Sequence, residues 1–152
     1  MLRKAIRSDI KRIKKITTIC FDGVSIDQNI EKLFGKIGGL DWKQRKASHI
    51  DKDAVEGEIF IAEEDNQIVG YITTQIDRYT KIGLIPNLAV LPEYQKLGIG
   101  RMLIEKALDH FRSEGMLLAK IETLEQNEVG KHFYPKIGFK EVARQIHYVK
   151  PL

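Results

Sequence analysis

Residues 85–103 read IPNLAVLPEYQKLGIGRML. An apolar run interrupted by a proline gives way to a polar loop, and the loop opens into a helical pattern. Gln95, Gly98 and Gly100 make Q-x-x-G-x-G. Glycines let a loop turn its backbone N–H groups inward and let a ligand come close, and the helix N-terminus adds partial positive charge at the same place. Two phosphate loops are excluded. A Walker loop needs G-x-x-x-x-G-K-[ST], which does not occur, and a dinucleotide fingerprint needs a third glycine where Leu103 stands. Taken alone, the stretch fits a plain turn as well as a pyrophosphate cradle.

Working outward, EIFIAEE at 58–64 and QIVGYITTQI at 67–76 flank Asp65-Asn66 and predict a hairpin. KIGLIPNLAV at 81–90 is the next strand; Pro86 cannot donate to a ladder, so a bulge or an unpaired edge is expected there. Downstream come a helix from about Gly98 to Ser113, a strand over 117–124 and a helix capped by Asn127 and ended by Gly138. Pro135 is expected to disturb the end of that helix, and FKEVAR and HYVK to finish the chain as one bent strand or two. Before the hairpin, Leu2–Ile6 reads as a strand, and Ser8 or Asp9 can cap a helix with Ile10, Ile13, Ile16 and Cys20 on one face. A second helix runs from about Ile26 to Phe34, with Ile26, Ile30, Leu33 and Phe34 inward, and Asp41 can cap a third over WKQRKASHI. The order, β, two or three α, then β-β-β-α-β-α-β, is α+β, with a consecutive antiparallel meander covered by helices. One domain over 1–152 is expected.

The 152 residues are 43% hydrophobic and 30% charged, an ordinary globular balance. No apolar run approaches the ~20 residues that span a bilayer, so no membrane partner is expected. MLRKAIRSDIKRIKK has no apolar stretch behind its charges, so no secretory leader is expected. The lone Cys20 cannot form an internal disulfide, which points to the cytoplasm. Residues 1–50 carry 12 Lys+Arg against 5 Asp+Glu, the remainder 13 against 16. That basic third could attract an anion, but it lacks an RNA-binding aromatic signature, so nucleic acid is not expected. His49, His110, His132 and His147 show no metal spacing, so no metal is expected.

NEVGKHFYPKIGF at 127–139 fits N-x-x-[AG]-x-x-F-Y-x-x-x-G-F. With VLPEYQKLGIGRML it resembles the GNAT acyltransferases, across the chain in element order and most specifically over about 85–139. The resemblance implies a GNAT-like fold, a mostly antiparallel mixed sheet of about six or seven strands flanked by helices, and acetyl-CoA as co-substrate. It implies that the loop of Gln95 and Lys96 binds pyrophosphate through the amides of Leu97, Gly98, Ile99, Gly100 and Arg101. Leu88, Ala89 and Val90 would pair with the pantetheine arm, Asn127 would contact it, and Tyr134 would protonate the departing thiolate. Lys96, Arg101 and Lys131 are candidates for the outer phosphates. Glu122, twelve positions before Tyr134, matches the Glu of the branch acting on N-terminal amines and is the candidate base, ahead of Glu93 and Glu125. Two departures stand out: Pro135 replaces the usual acidic residue, and Gly130 replaces a commoner Ala at about 1 kcal/mol in helix propensity.

Acylating an amine sets further demands. An amine of pKa ~10.4 costs about 4–5 kcal/mol to hold neutral at pH 7, so a base or a shielded site is needed. The oxyanion needs a donor, and a backbone N–H near Leu88 could supply it. The expected function is an N-acetyltransferase that moves an acetyl group directly to a primary amine of a small molecule, peptide or protein. The alternative is a catalytically silent acyl-CoA-binding module, against which the Asn127/Tyr134 pair argues. Trp42 and Tyr79 are candidates for an acceptor pocket, and exposed strand edges would allow a homodimer.

Overall fold

Asp65 and Asn66 both take left-handed backbone angles, φ 49° and 61°. They close the expected two-residue turn between β2 (Glu58–Glu64) and β3 (Gln67–Asp77). Around this hairpin the computed structural model, which describes residues 1–152, places β1 (Leu2–Lys4), α1 (Ile10–Cys20), α2 (Ile26–Phe34) and α3 (Trp42–Glu56). After it come β4 (Ile82–Ile85), β5 (Leu88–Val90), α4 (Ile99–Ser113), β6 (Leu118–Ile121) and α5 (Glu128–Lys136). The strand order is β1-β2-β3-β4-β6, with β5 also on β3, and only the β4/β6 pair is parallel.

The long β3 pairs with two short strands in succession. Its register runs from Gln75↔Leu84 to Ile72↔Leu88, so three steps on β3 match four on the other side. The extra residue lies at Pro86-Asn87, the bulge expected from the missing proline donor. It divides the expected third strand of the meander into β4 and β5. β6 follows β4 to Ile85↔Ile121 and goes no further, so the outer edge of β5 faces no strand.

Both faces of the sheet are buried. Phe60, Ala62, Ile72, Ile85 and Val90 pack against Leu103, Ala107 and Phe111 of α4, while Ile59, Ile61, Tyr71 and Ala89 pack with Ile13 and Ile16 of α1 and Ile50 of α3. Strand alternation sorts the apolar run of β2 onto both sides. A second irregularity, where Ala62↔Gly70 is followed by Glu63↔Ile68, inserts Val69 and turns it toward α4. Each buried Ile contributes roughly 1.5–3 kcal/mol. Tyr71 is fully buried on the α1 side, and its hydroxyl meets Thr17 Oγ1 at 2.7 Å; Thr17 in turn donates to the Ile13 carbonyl.

Several expectations are corrected. Asp9 precedes α1, but its carboxylate turns back to accept from the Ile6 N–H at 2.8 Å and from Arg3 at 2.8 Å, so it makes no side-chain cap. Those Arg3 bonds hold the Asp9 carboxyl below the usual carboxylate range. β1 accordingly ends at Lys4. α2 has no buried residue, and Leu33 is exposed, because α2 rests on α3 rather than on the sheet. The final strand does not form: residues 139–152 lack regular structure, with Val142, Ile146 and Tyr148 exposed. No ladder partner takes up their backbone groups. Pro135 lies inside α5, which continues to Lys136. Asp41 caps α3 as expected, accepting from the Gln44 N–H at 2.8 Å. No helix is long and apolar enough to cross a membrane.

The Thr17–Tyr71 pair gives a test of the core. Thr17→Val strands the Tyr71 hydroxyl and should cost about 1–3 kcal/mol in urea unfolding, whereas adding Tyr71→Phe should recover most of that loss.

Candidate active site

The loop after β5 is built to present amides. Lys96 and Gly98 take left-handed angles, φ 66° and 83°, on either side of Leu97, and such alternation forms an anion-binding concavity. None of the N–H groups of Leu97, Gly98, Ile99, Gly100 and Arg101 finds an acceptor in the chain; Met102 is the first to donate, to the Gly98 carbonyl at 3.0 Å. The first turn of α4 holds no acidic residue, though such residues favour that position, and instead carries Arg101. Gln95 holds the loop from behind: its Nε2 donates to the Val90 carbonyl at 2.9 Å, which Cys20 Sγ also approaches at 3.4 Å. The Gln95 side chain is therefore tied to the end of β5. Burial pushes the Cys20 thiol up to about 11.

β5 continues this row of donors. Thr73 donates to the Asn87 carbonyl, and Leu91 donates to the Val69 carbonyl. Positions 87, 89 and 91 therefore face β3, and 88 and 90 face the open edge. The edge offers the Leu88 N–H and C=O and the Val90 N–H, while the backbone of Ala89 is spent on β3. A Cβ built on Gly100 would stand 3.6 Å from Phe133 Cζ and 3.9 Å from Val90 Cγ2. The loop, β5 and α5 thus meet at one place, and Tyr134 follows there.

Tyr134 packs edge-on against Phe133 and Phe139, with ring centroids 5.4 and 5.9 Å away. Burial pushes its phenol up to about 12. Asn127 is engaged within the chain: Oδ1 accepts from the Gly130 N–H at 3.0 Å, capping α5, and Nδ2 donates to Thr123 Oγ1 at 3.0 Å. A Cβ on Gly130 would come within 2.8 Å of Thr123 Oγ1 and 3.0 Å of Asn127 Nδ2. Glycine at 130 therefore accommodates this arrangement, which accounts for the departure from the commoner Ala. Ala119 and Ile121 of β6 pack on the α4 core, so Lys120 and, just beyond the strand, Glu122 lie on the opposite face, their charged ends 3.3 Å apart. The Glu122 side chain is 63% exposed.

A family model for the acetyltransferase (GNAT) domain matches residues 56–141. The chain belongs to the GNAT acetyltransferase family. The [ribosomal protein bS18]-alanine N-acetyltransferase of Haemophilus influenzae is 36% identical over 91 residues, covering 58% of this chain and 59% of that protein. An N-alpha-acetyltransferase of Sulfurisphaera tokodaii is 32% identical over 107 residues, covering 61% and 62%. The matches thus span less than two thirds of these relatives. The PaiA N-acetyltransferase of Thermoplasma acidophilum, solved in complex with coenzyme A, superposes with a TM-score of 0.73 at 22% identity, covering 92% of this chain and 89% of that one. It has the same fold.

Within this GNAT frame the residues expected at the site divide in two. The 97–101 amides, the edge of β5 and α5 come together. Tyr79 does not join them; it is 95% exposed at the tip of the β3–β4 turn. Trp42 is buried at the start of α3 as a packing residue. Glu125 is paired with Arg144 at 3.3 Å, and Lys131 with Glu128 at 3.4 Å. On the α3 face lies a cavity of about 300 Å³ lined by Lys46, His49, Asp53, Leu84, Pro86 and Asn87. Nothing in the sequence grouped these residues, because α3 meets the bulge through contacts 34 and 41 positions apart. A polar Asn87 next to Pro86 inside an apolar run was the one available signal.

The two glycines of the loop should behave differently. Gly98→Ala forces a side chain into left-handed backbone, at about 1–2 kcal/mol of folding stability. Gly100→Ala has room in the protein and should leave stability level or raise it by up to about 1 kcal/mol. If this loop holds the pyrophosphate of acetyl-CoA, the methyl group should nevertheless weaken acetyl-CoA binding about tenfold, the equivalent of one charged hydrogen bond. Urea unfolding and isothermal titration separate the two effects.

Proposed function

We propose that this chain, as one catalytic domain, moves an acetyl group from acetyl-CoA directly to a primary amine, with peptide and protein amines heading the acceptor classes. The reading rests on the five unpartnered N–H groups at 97–101, continuous with the open edge of β5. Three or four charged hydrogen bonds of roughly 1.5–3 kcal/mol each suffice to hold a pyrophosphate there. Lys96 and Arg101 would meet the outer phosphates, Leu88 and Val90 would pair with the pantetheine arm, and Asn127 has a second Nδ2 hydrogen to offer it.

When bound, acetyl-CoA supplies an activated acyl carbon and a thiolate leaving group. The Leu88 N–H is the donor for charge developing on the acyl oxygen. Glu122 takes the proton that the amine sheds as the new C–N bond forms, and Tyr134 gives its phenol proton to the sulfur as the C–S bond breaks. With its pKa raised by burial, the Tyr134 phenol stays protonated throughout the neutral range but is a weaker acid than a free tyrosine, so its proton moves only as negative charge builds on the sulfur. Two observations favour peptide and protein amines: the Glu122-to-Tyr134 spacing, and relatives named for acetylating a ribosomal protein alanine and for N-alpha-acetylation.

Isothermal titration should show saturable acetyl-CoA binding, and no binding at millimolar ligand would overturn the reading. Thiol release against a panel of peptides and small amines should reveal an acceptor; binding without turnover would favour the silent module. With the acceptor found, Tyr134→Phe should lower kcat by about a hundredfold or more while leaving acetyl-CoA affinity unchanged. Glu122→Gln should likewise lower kcat, and an unaltered rate would remove Glu122 from the chemistry.

A further inference from the structure

Asn87 marks the point where β4 gives way to β5. It is 5% exposed, and its backbone and side-chain polar groups are all engaged. Its N–H donates to Thr73 Oγ1 at 2.9 Å, and its carbonyl accepts from the Thr73 N–H at 2.9 Å. Its side chain reaches α3: Nδ2 donates to Asp53 Oδ2 at 2.7 Å, and Oδ1 accepts from Lys46 Nζ at 2.7 Å. Asn87 thus links β3, through Thr73, to α3, through Asp53 and Lys46. The Lys46 ammonium lies 4.2 Å from the centre of the Phe21 ring. Asp53 is itself 4% exposed.

Holding a carboxylate and an ammonium out of water is costly, and apolar side chains of similar volume would often pack as well or better. Burial accordingly pushes the Asp53 pKa up and the Lys46 pKa down. This polar link is not needed to seat α3, which already buries Ile50 with Ile13 and Ile16. It does fix the backbone at the bulge where β4 gives way to β5. With the N–H and C=O of Asn87 tied to Thr73, the next amide, Leu88 N–H, points to the open edge and finds no acceptor in the chain.

We propose that Asn87, clamped by Asp53 and Lys46 of α3, is a positioning residue that aims the Leu88 N–H at the acyl carbonyl. The proposal rests on the reading of the site as an acetyl-CoA site. None of the three side chains touches the acyl group. They act through the backbone, by preventing the bulge from relaxing into a position where Leu88 would face β3.

Isotope-edited infrared difference spectroscopy reads this without an acceptor. Acetyl-CoA carrying a heavy-carbon label at the thioester carbonyl is added to the full chain. In the wild-type protein the bound carbonyl band should be narrower and at lower wavenumber than in buffer. Asn87→Ala and Asp53→Ala should move it back by at least half while acetyl-CoA affinity stays within about threefold. Asp53→Asn still offers Asn87 an oxygen and should keep most of the shift. If the alanine variants fail to fold, Lys46→Met frees Asn87 Oδ1 and should show the same loss. A wild-type band in the variants that fold, a wild-type protein that binds without a shift, or affinity falling in step with the shift would each overturn the proposal. A wild-type protein that does not bind acetyl-CoA would instead overturn the functional reading beneath it.

Discussion

One residue too many on the strand opposite β3 governs the rest of the structure. Because Pro86-Asn87 adds that residue, β3 is paired by β4 and then by β5, shifted by one. β6 follows only β4, so the sheet opens where β5 begins. An open edge in the middle of a buried sheet is normally a liability, since unpaired N–H and C=O groups cost free energy away from water. In the proposed function this liability becomes the place for an extended ligand. The hydrophobic faces on either side keep the opening from collapsing: Val90 and Ile85 are anchored toward α4, and Ala89 toward α1 and α3.

The cradle and the opening act as one surface. The Leu88 and Val90 N–H groups point the same way from β5, and five more amides follow at 97–101. The Gln95 side chain ties the two by bonding the Val90 carbonyl. At the far end α5 is capped by an Asn127 whose carboxamide also reaches Thr123. The loop and α5 therefore approach each other from rigid elements, as a site needing fixed geometry requires.

Much of this was legible in the chain. The Asp65-Asn66 hairpin, the Asp41 cap, the bulge at Pro86 and the amide loop depend on local backbone chemistry, and each is where its residues predicted. The errors came where a segment's fate depends on a neighbour. Leu33 has helical spacing on an apolar face, but α2 sits outside the sheet layer and leaves it exposed. Residues 139–152 have apolar residues suited to a strand, yet without a paired neighbour the pattern does not make one. Asp9 has a cap's chemistry, but Arg3 offered its carboxylate more than a helix end could.

The site divides in the same way. By itself the sequence determined the donors: glycine at a left-handed position, a strand feeding a helix, and the string from Asn127 to Phe139. Those features act over a few residues, where sequence spacing is also spatial distance. Only the tertiary structure decided that Asp53 and Lys46 reach across from α3 to grip Asn87, and that Glu122 faces away from the α4 core. Such contacts join positions tens of residues apart. What brings them together is the packing of α3 on one face of a sheet whose register shifts by a single residue.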